Sequence, residues 1–187
     1  MSYLSSITRQ FLYYKSLGEK AIAQVSDENL TWQYNTESNS IAIIVKHLHG
    51  NMISRWTNFL TTDGEKETRK RDEEFINDTP SREELMRLWN EGWTCLMSAI
   101  ESLQEEDLDK IIYIRNEGHS VMEAINRQLA HYPYHVGQIV FIAKMCNEEF
   151  KSLSIPRNAS LNYNTQKFSE EKGTRHFTEE WLAKDKG

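Results

Sequence analysis

Apolar residues recur at helical spacing in four separate stretches of this chain, and that pattern limits the fold more than any other feature of it. In the first, from Tyr3 to Gln24, Leu4, Ile7, Phe11, Leu12, Tyr14 and Leu17 fall mostly on one side. The second runs from Ser40 to Leu60. Asn39 and Ser40 are good caps, and Ile41, Ile44, Val45, Leu48, Met52, Trp56 and Phe59 form the stripe until Thr61-Thr62-Asp63-Gly64 stops it. The third opens at Thr79-Pro80, where Thr79 caps and Pro80 suits the first helical position, and it carries Leu85, Leu88, Trp89, Leu96 and Ile100. The fourth begins at Ser120, spaced from Glu123 as in a capping box, and reaches Cys146. Only 3 Pro and 8 Gly in 187 residues leave few turns for a sandwich or barrel. The expectation is an all-α chain, a four-helix bundle over residues 1–150 with a polar extension over 151–187. Phe177 and Trp181 in that extension are placed to pin a short terminal helix onto the bundle.

The links between these stretches read less sharply. Lys110-Ile111-Ile112-Tyr113-Ile114-Arg115 is β-prone but solitary, and a lone strand leaves its backbone unsatisfied, so it reads as an extended connector. The segment Glu65–Phe75 mixes charges, with Arg69-Lys70-Arg71 answered by Asp72, Glu73 and Glu74. It reads as a solvated, self-neutralising loop.

A net charge of −6 argues against nucleic acid and against an anionic membrane surface as partners. The aliphatic runs Ile41–Val45 and Ile139–Ala143 are too short to span a bilayer, and the start Met-Ser-Tyr-Leu-Ser-Ser lacks the basic flank and apolar core of a signal peptide. Cys95 and Cys146 stand far apart and form no metal or redox motif. The expectation is a cytoplasmic protein.

The chemistry lies in the histidines. His131 and His135 are four residues apart on the fourth stretch, so both imidazoles project from one face, where they can share a divalent ion. They border the apolar face made by Val121, Ile125, Leu129, Tyr132, Val136 and Ile139, and Pro133 between them frees the carbonyl of Leu129. Tyr132 follows His131 where a zinc-protease helix would carry its glutamate, so that chemistry is excluded. The second stretch offers His47 and His49, about 200° apart around a helix. Periodicity leans towards His49, which lies nearer the stripe of Val45, Met52 and Trp56, whereas His47 shares a polar side with Asn51. The choice stays open on periodicity alone. His119 reads as an aid to the start of its helix and His176 as a solvated residue of the tail.

Lys46-His47-Leu48-His49-Gly50-Asn51 and His131-Tyr132-Pro133-Tyr134-His135-Val136-Gly137-Gln138 together resemble the two histidine elements of DinB/YfiT-like proteins, in order and spacing, over about Met1 to Asn147. The stretch Trp56–Phe75 and Leu153-Ser154-Ile155-Pro156-Arg157 are similar to a bacterial branch of that superfamily with no assigned function. The resemblance implies a four-helix bundle of that type and a metal held by His47, His131 and His135, with His49 in a supporting or core role. The implied metal is Zn²⁺ or Ni²⁺, with Mn²⁺ or Fe²⁺ after them. Characterised relatives include thiol S-transferases, so the implied activity is metal-assisted attack of a low-molecular-weight thiol on a small electrophile. Asn51, Arg55 and Gln138 are the candidate catalytic residues: Asn51 to orient substrate, Arg55 to bind a carboxylate of a thiol cofactor, Gln138 to support His135. A hydrolase on the same three histidines and a non-catalytic ligand-binding bundle are the competing readings. The expected partner is a small-molecule substrate, with no nucleic acid and no membrane, and a homodimer is implied by the resemblance alone.

Overall fold

The computed structural model describes residues 2–78 and 81–183. Over these the chain is mainly α. Four long helices, α1 (Tyr3–Ile22), α2 (Ile41–Trp56), α3 (Arg82–Glu101) and α4 (Val121–Cys146), are followed by the shorter α5 (Ser160–Ser169) and α6 (Glu179–Ala183). One antiparallel hairpin, β1 (Ile111–Ile114) and β2 (Glu117–Ser120), precedes α4. Each long helix opens on a serine. The hydroxyls of Ser2, Ser40, Ser81 and Ser120 accept the N–H of Ser5, Ile43, Glu84 and Glu123 at 3.1–3.2 Å. Each such cap is worth about 1 kcal/mol and fixes where its helix begins. The Thr79-Pro80 start expected for α3 lies outside the described residues.

The long helices pack around one core, α2 against α3 and α1 against α4, with α2 also touching α4 and α1 touching α3. Phe11, Trp89, Trp93 and Tyr132 interlock at the centre, with ring centroids 5.4–6.5 Å apart. Gly18 allows α1 to approach this aromatic cluster, because a Cβ there would lie 2.4 Å from Trp89 Cη2. No helix of the described residues is long and apolar enough to cross a membrane.

Several expectations need correction. α2 ends at Trp56, short of Leu60, because Asn58 takes a left-handed turn (φ 49°) and its carbonyl accepts the N–H of Thr61 and Thr62. Phe59 is still buried, packed edge-on against Trp56, so the stripe outlasts the helix. The Lys110–Arg115 segment is no lone connector. Ile111–Ile114 pairs with Glu117–Ser120 across a two-residue turn in which Arg115 and Asn116 have φ of 57° and 62°. Those angles are what a type I′ hairpin requires, and asparagine tolerates them. The partner strand, Glu-Gly-His-Ser, carries no β-rich signature, which is why the sequence hid it.

The segment from Glu65 to Phe75 is not simply a solvated loop. Arg69 and Glu74 are turned inward against α2, their side chains 5% and 9% exposed, while Lys70 and Glu73 face solvent as expected. The segment is tethered at both ends. Ser54 Oγ donates to the Gly64 carbonyl and accepts the Lys66 N–H. The Asp63 carboxylate accepts the backbone N–H of Glu65, Arg115 and Asn116 at 2.7–2.8 Å, which docks the hairpin turn onto this loop. In the polar tail, α6 and the residues just before it rest on α1 through an Arg9–Glu179 ion pair and a Tyr13–Phe177 edge contact. Trp181 stacks on Tyr163 of α5. His176, expected to be solvated, is buried, with Nδ1 2.7 Å from Thr178 Oγ1.

Candidate metal centre

The centre is built where α2 meets α4. His47 comes from α2, and His131 and His135 lie one turn apart on α4, which runs unbroken as helix through Pro133. His131 Nε2 lies 3.3 Å from His47 Nε2 and 3.1 Å from His135 Nε2. The opposite nitrogen of every ring meets an oxygen. His47 Nδ1 is 3.0 Å from Glu74 Oε2, His131 Nδ1 is 3.2 Å from Gln128 Oε1, and His135 Nδ1 is 2.7 Å from Gln138 Oε1. A carboxylate or amide oxygen only accepts, so each Nδ1 carries the proton and donates it outward. A neutral imidazole protonated at Nδ1 has only a lone pair at Nε2. Three lone pairs therefore face one another, an arrangement that repels itself and suits a shared cation. Two nitrogens bound at 2.0–2.1 Å in tetrahedral geometry stand about 3.3 Å apart, which these separations match. These three residues fit a divalent metal, and among the described residues they form the one histidine, cysteine or carboxylate cluster of the right size.

Burial favours the neutral, metal-ready form of His131 and His135. Burial, aided by the neighbouring His135, His47, Arg55 and Arg127, pulls His131 down to about 3. Burial likewise lowers His135, against the opposing hydrogen bond to Gln138. Burial of Glu74 resists ionisation, but its hydrogen bonds to His47 and Arg69 outweigh this and hold its carboxyl below the usual range. Arg69 grips that carboxylate as a fork, Nε to Oε1 at 2.8 Å and Nη2 to Oε2 at 2.9 Å. Gly50 makes room for it, since a Cβ there would fall 2.1 Å from Glu74 Oε1.

A pH dependence follows. Unfolded histidine titrates near 6.5. From there down to about 3 the unfolded chain binds a proton at His131 that the folded chain refuses, so stability falls as pH is lowered through this window. The thermal midpoint of metal-free protein is expected to drop between pH 7 and pH 5, and to drop less in His131→Gln. Equal slopes for the two proteins would contradict the assignment.

Of the two α2 histidines, it is His47 that the structure brings to His131 and His135. His47 is buried in the centre, whereas His49 faces α3, with Nε2 3.3 Å from Glu91 Oε2. Apolar periodicity misled because α2 is buried on nearly every side and so has no distinct stripe. Asn51 and Arg55 line a cavity of about 210 Å³ beside His47 and His131. Tyr132 donates to Asn51 Oδ1 at 3.0 Å and accepts from Trp56 Nε1 at 2.9 Å, which fixes the Asn51 amide. Gln138 does not line this cavity. It borders a separate surface groove and holds His135. His119 stands away from the centre, Nδ1 3.5 Å from Glu123. Cys95 and Cys146 are free, and burial raises the Cys146 thiol.

Sequence reasoning missed Glu74, Arg69 and Gln128. Glu74 and Arg69 sit in a charge-rich run that looks like solvated loop. Gln128 had a readable signal: it precedes His131 by the same three residues by which Gln138 follows His135, and both spacings place the amide beside its ring.

One protein family, described as a protein of unknown function (DUF1572), matches this chain over residues 1–159. The chain belongs to DUF1572. The matched span takes in α1 to α4, the hairpin, the three histidines and Glu74, and it ends just before α5. None of the curated proteins compared with the chain matches it. In this DUF1572 protein the metal-ready cluster therefore lies wholly inside the family's span, and α5 and α6 lie beyond it.

Proposed function

We propose that this DUF1572 protein is a metal-dependent enzyme, a thiol S-transferase acting on small electrophiles, built on a four-helix bundle of the DinB/YfiT type. In this reading residues 1–150 form the catalytic domain and 151–187 an extension of it, and the enzyme works as a cytoplasmic homodimer. Its partner is a small molecule, with neither nucleic acid nor membrane involved, in keeping with a net charge of −6. The observation that carries the reading is the convergence of three Nε2 atoms whose Nδ1 partners are all oxygen acceptors.

His47, His131 and His135 would hold the ion, Zn²⁺ or Ni²⁺ first. Three protein ligands leave coordination open, which is the habit of catalytic and not structural sites. When bound, such an ion favours the ionised form of a thiol or water that reaches it. The chain's own groups supply the rest. Glu74, Gln128 and Gln138 fix the tautomer and tilt of the rings. Asn51, itself locked by Tyr132, orients the substrate at the cavity wall. Attack forms a carbon–sulfur bond, the leaving group departs with its electron pair, and the thiol proton passes to solvent.

The test is turnover by protein loaded with Zn²⁺ or Ni²⁺, using monobromobimane as electrophile and cysteine or glutathione as thiol. A rate above the uncatalysed one that saturates with thiol and vanishes on chelation is expected. Metal-dependent ester or amide cleavage without thiol would replace the transferase reading with a hydrolase on the same histidines. Failure to take up any divalent metal would overturn both and leave a ligand-binding bundle.

A further inference from the structure

The 210 Å³ cavity beside His47 and His131 is lined by five arginines, Arg55, Arg69, Arg71, Arg115 and Arg127, and by no carboxylate among the described residues. This is a concentration of positive charge in a chain whose net charge is −6. Two carboxylates behind the lining answer part of it. Glu74 is taken by the Arg69 fork, and Glu65 lies 3.3 Å from Arg115 and 3.4 Å from Arg69. Arg55 is left over. It is only 4% exposed, its Nε and Nη1 have no hydrogen-bond partner among the described residues, and its Nη2 is 3.9 Å from the nearest Glu65 oxygen. A guanidinium stays charged at any physiological pH, and burying it with most of its donors unpartnered is costly. The structure keeps a guanidinium out of water with two of its three nitrogens unpartnered and the third in only a long contact with Glu65, at the wall of a cavity that touches two of the metal-ready histidines.

We infer that this cavity binds an oxyanion, and that the substrate is a small molecule bearing a carboxylate or phosphate group that pairs with Arg55. Exposed Arg71 and Arg127 at the lining draw the anion in, because a cleft walled by one sign of charge focuses its field. Arg55 forks the anion inside, and Asn51 and Gln128 share the wall. The volume suits an acidic head or a very small acid, with the reactive end turned to the histidines. That last orientation rests on the metal reading above. The oxyanion site itself does not.

Calorimetry on metal-free protein at low salt separates the two. The probes are succinate and inorganic phosphate, with succinamide as the neutral control. Saturable one-to-one binding of succinate or phosphate, weakened by salt and absent for succinamide, is expected, and the tighter of the two names the anion class. Arg55→Met should weaken that binding at least tenfold and raise the thermal midpoint, because it removes a buried charge whose one carboxylate contact is long. Arg71→Ala with Arg127→Ala, both at exposed positions, should weaken binding several-fold with the fold unchanged. No binding of either anion by the parent overturns the inference. So does Arg55→Met binding as tightly as the parent, or, if that variant fails to fold, the exposed double variant binding as tightly. Metal content measured on the same preparations reports on the histidines alone, so either reading can fail without the other.

Discussion

Replacing His131 and His135 together by alanine is expected to abolish divalent-metal binding while leaving the helical fold intact. Structural zinc sites with four ligands are worth about 10–16 kcal/mol, or roughly 3 kcal/mol per ligand. Losing two ligands should therefore weaken binding by about four powers of ten. The fold should survive because both rings are only partly buried, and alanine is the best helix former. The substitution also removes two of three facing lone pairs, so metal-free protein should melt no lower than the parent. The measurement is elemental analysis after reconstitution and gel filtration, with circular dichroism alongside. About one ion per chain in the parent and none in the variant is expected. A variant that keeps its ion would show that the three convergent nitrogens are not the ligands.

Glu74→Ala should harm both metal affinity and stability, although Glu74 is no ligand. Its removal leaves Arg69 buried with only the longer contacts to Glu65, at 3.4 and 3.5 Å, and leaves the His47 Nδ1 proton without an acceptor. Breaking a buried ion pair by deleting one partner costs about 3–5 kcal/mol, and losing the group that orients a ligating histidine costs about 10–100-fold in metal affinity. Glu74→Gln keeps the volume and one acceptor, so both losses should be smaller. Denaturant titration reads the first effect and chelator competition the second. Affinity within twofold of the parent in Glu74→Ala would mean that His47 is aimed by something else, and the Glu74–His47 contact would be incidental.

The sequence carried the four long helices, and the starts of α2 and α4, because those are local facts. Ser40 and Ser120 announce α2 and α4 by cap chemistry, and His131 and His135 share a face by spacing alone. What it did not carry depends on contacts between distant segments. Glu74 reaches His47 from 27 residues away, through a loop whose alternating charges look like solvent-facing polarity. The turn that leads into β2 is held by Asp63, far off in the chain. His47 could not be told from His49 by periodicity because α2 is enclosed on almost all sides. The motif resemblance made that choice, and the fold brings His47 to His131. Arg55 was named as a candidate to bind a carboxylate, but its burial and its unpartnered Nε and Nη1 are visible only in three dimensions.

His47 and His131 are separated by 84 positions in the chain yet meet at their ring nitrogens. An ion held between them would act as a cross-link, pinning the first half of the protein to its last long helix. Tying a loop of that length in the unfolded chain is worth about 4–5 kcal/mol by the chain-entropy relation used for disulfides. The two cysteines form no such bond. A clasp made of imidazole and metal would answer to the supply of the ion, where a disulfide answers to redox potential, and the endurance of this fold would then track how much metal its surroundings provide.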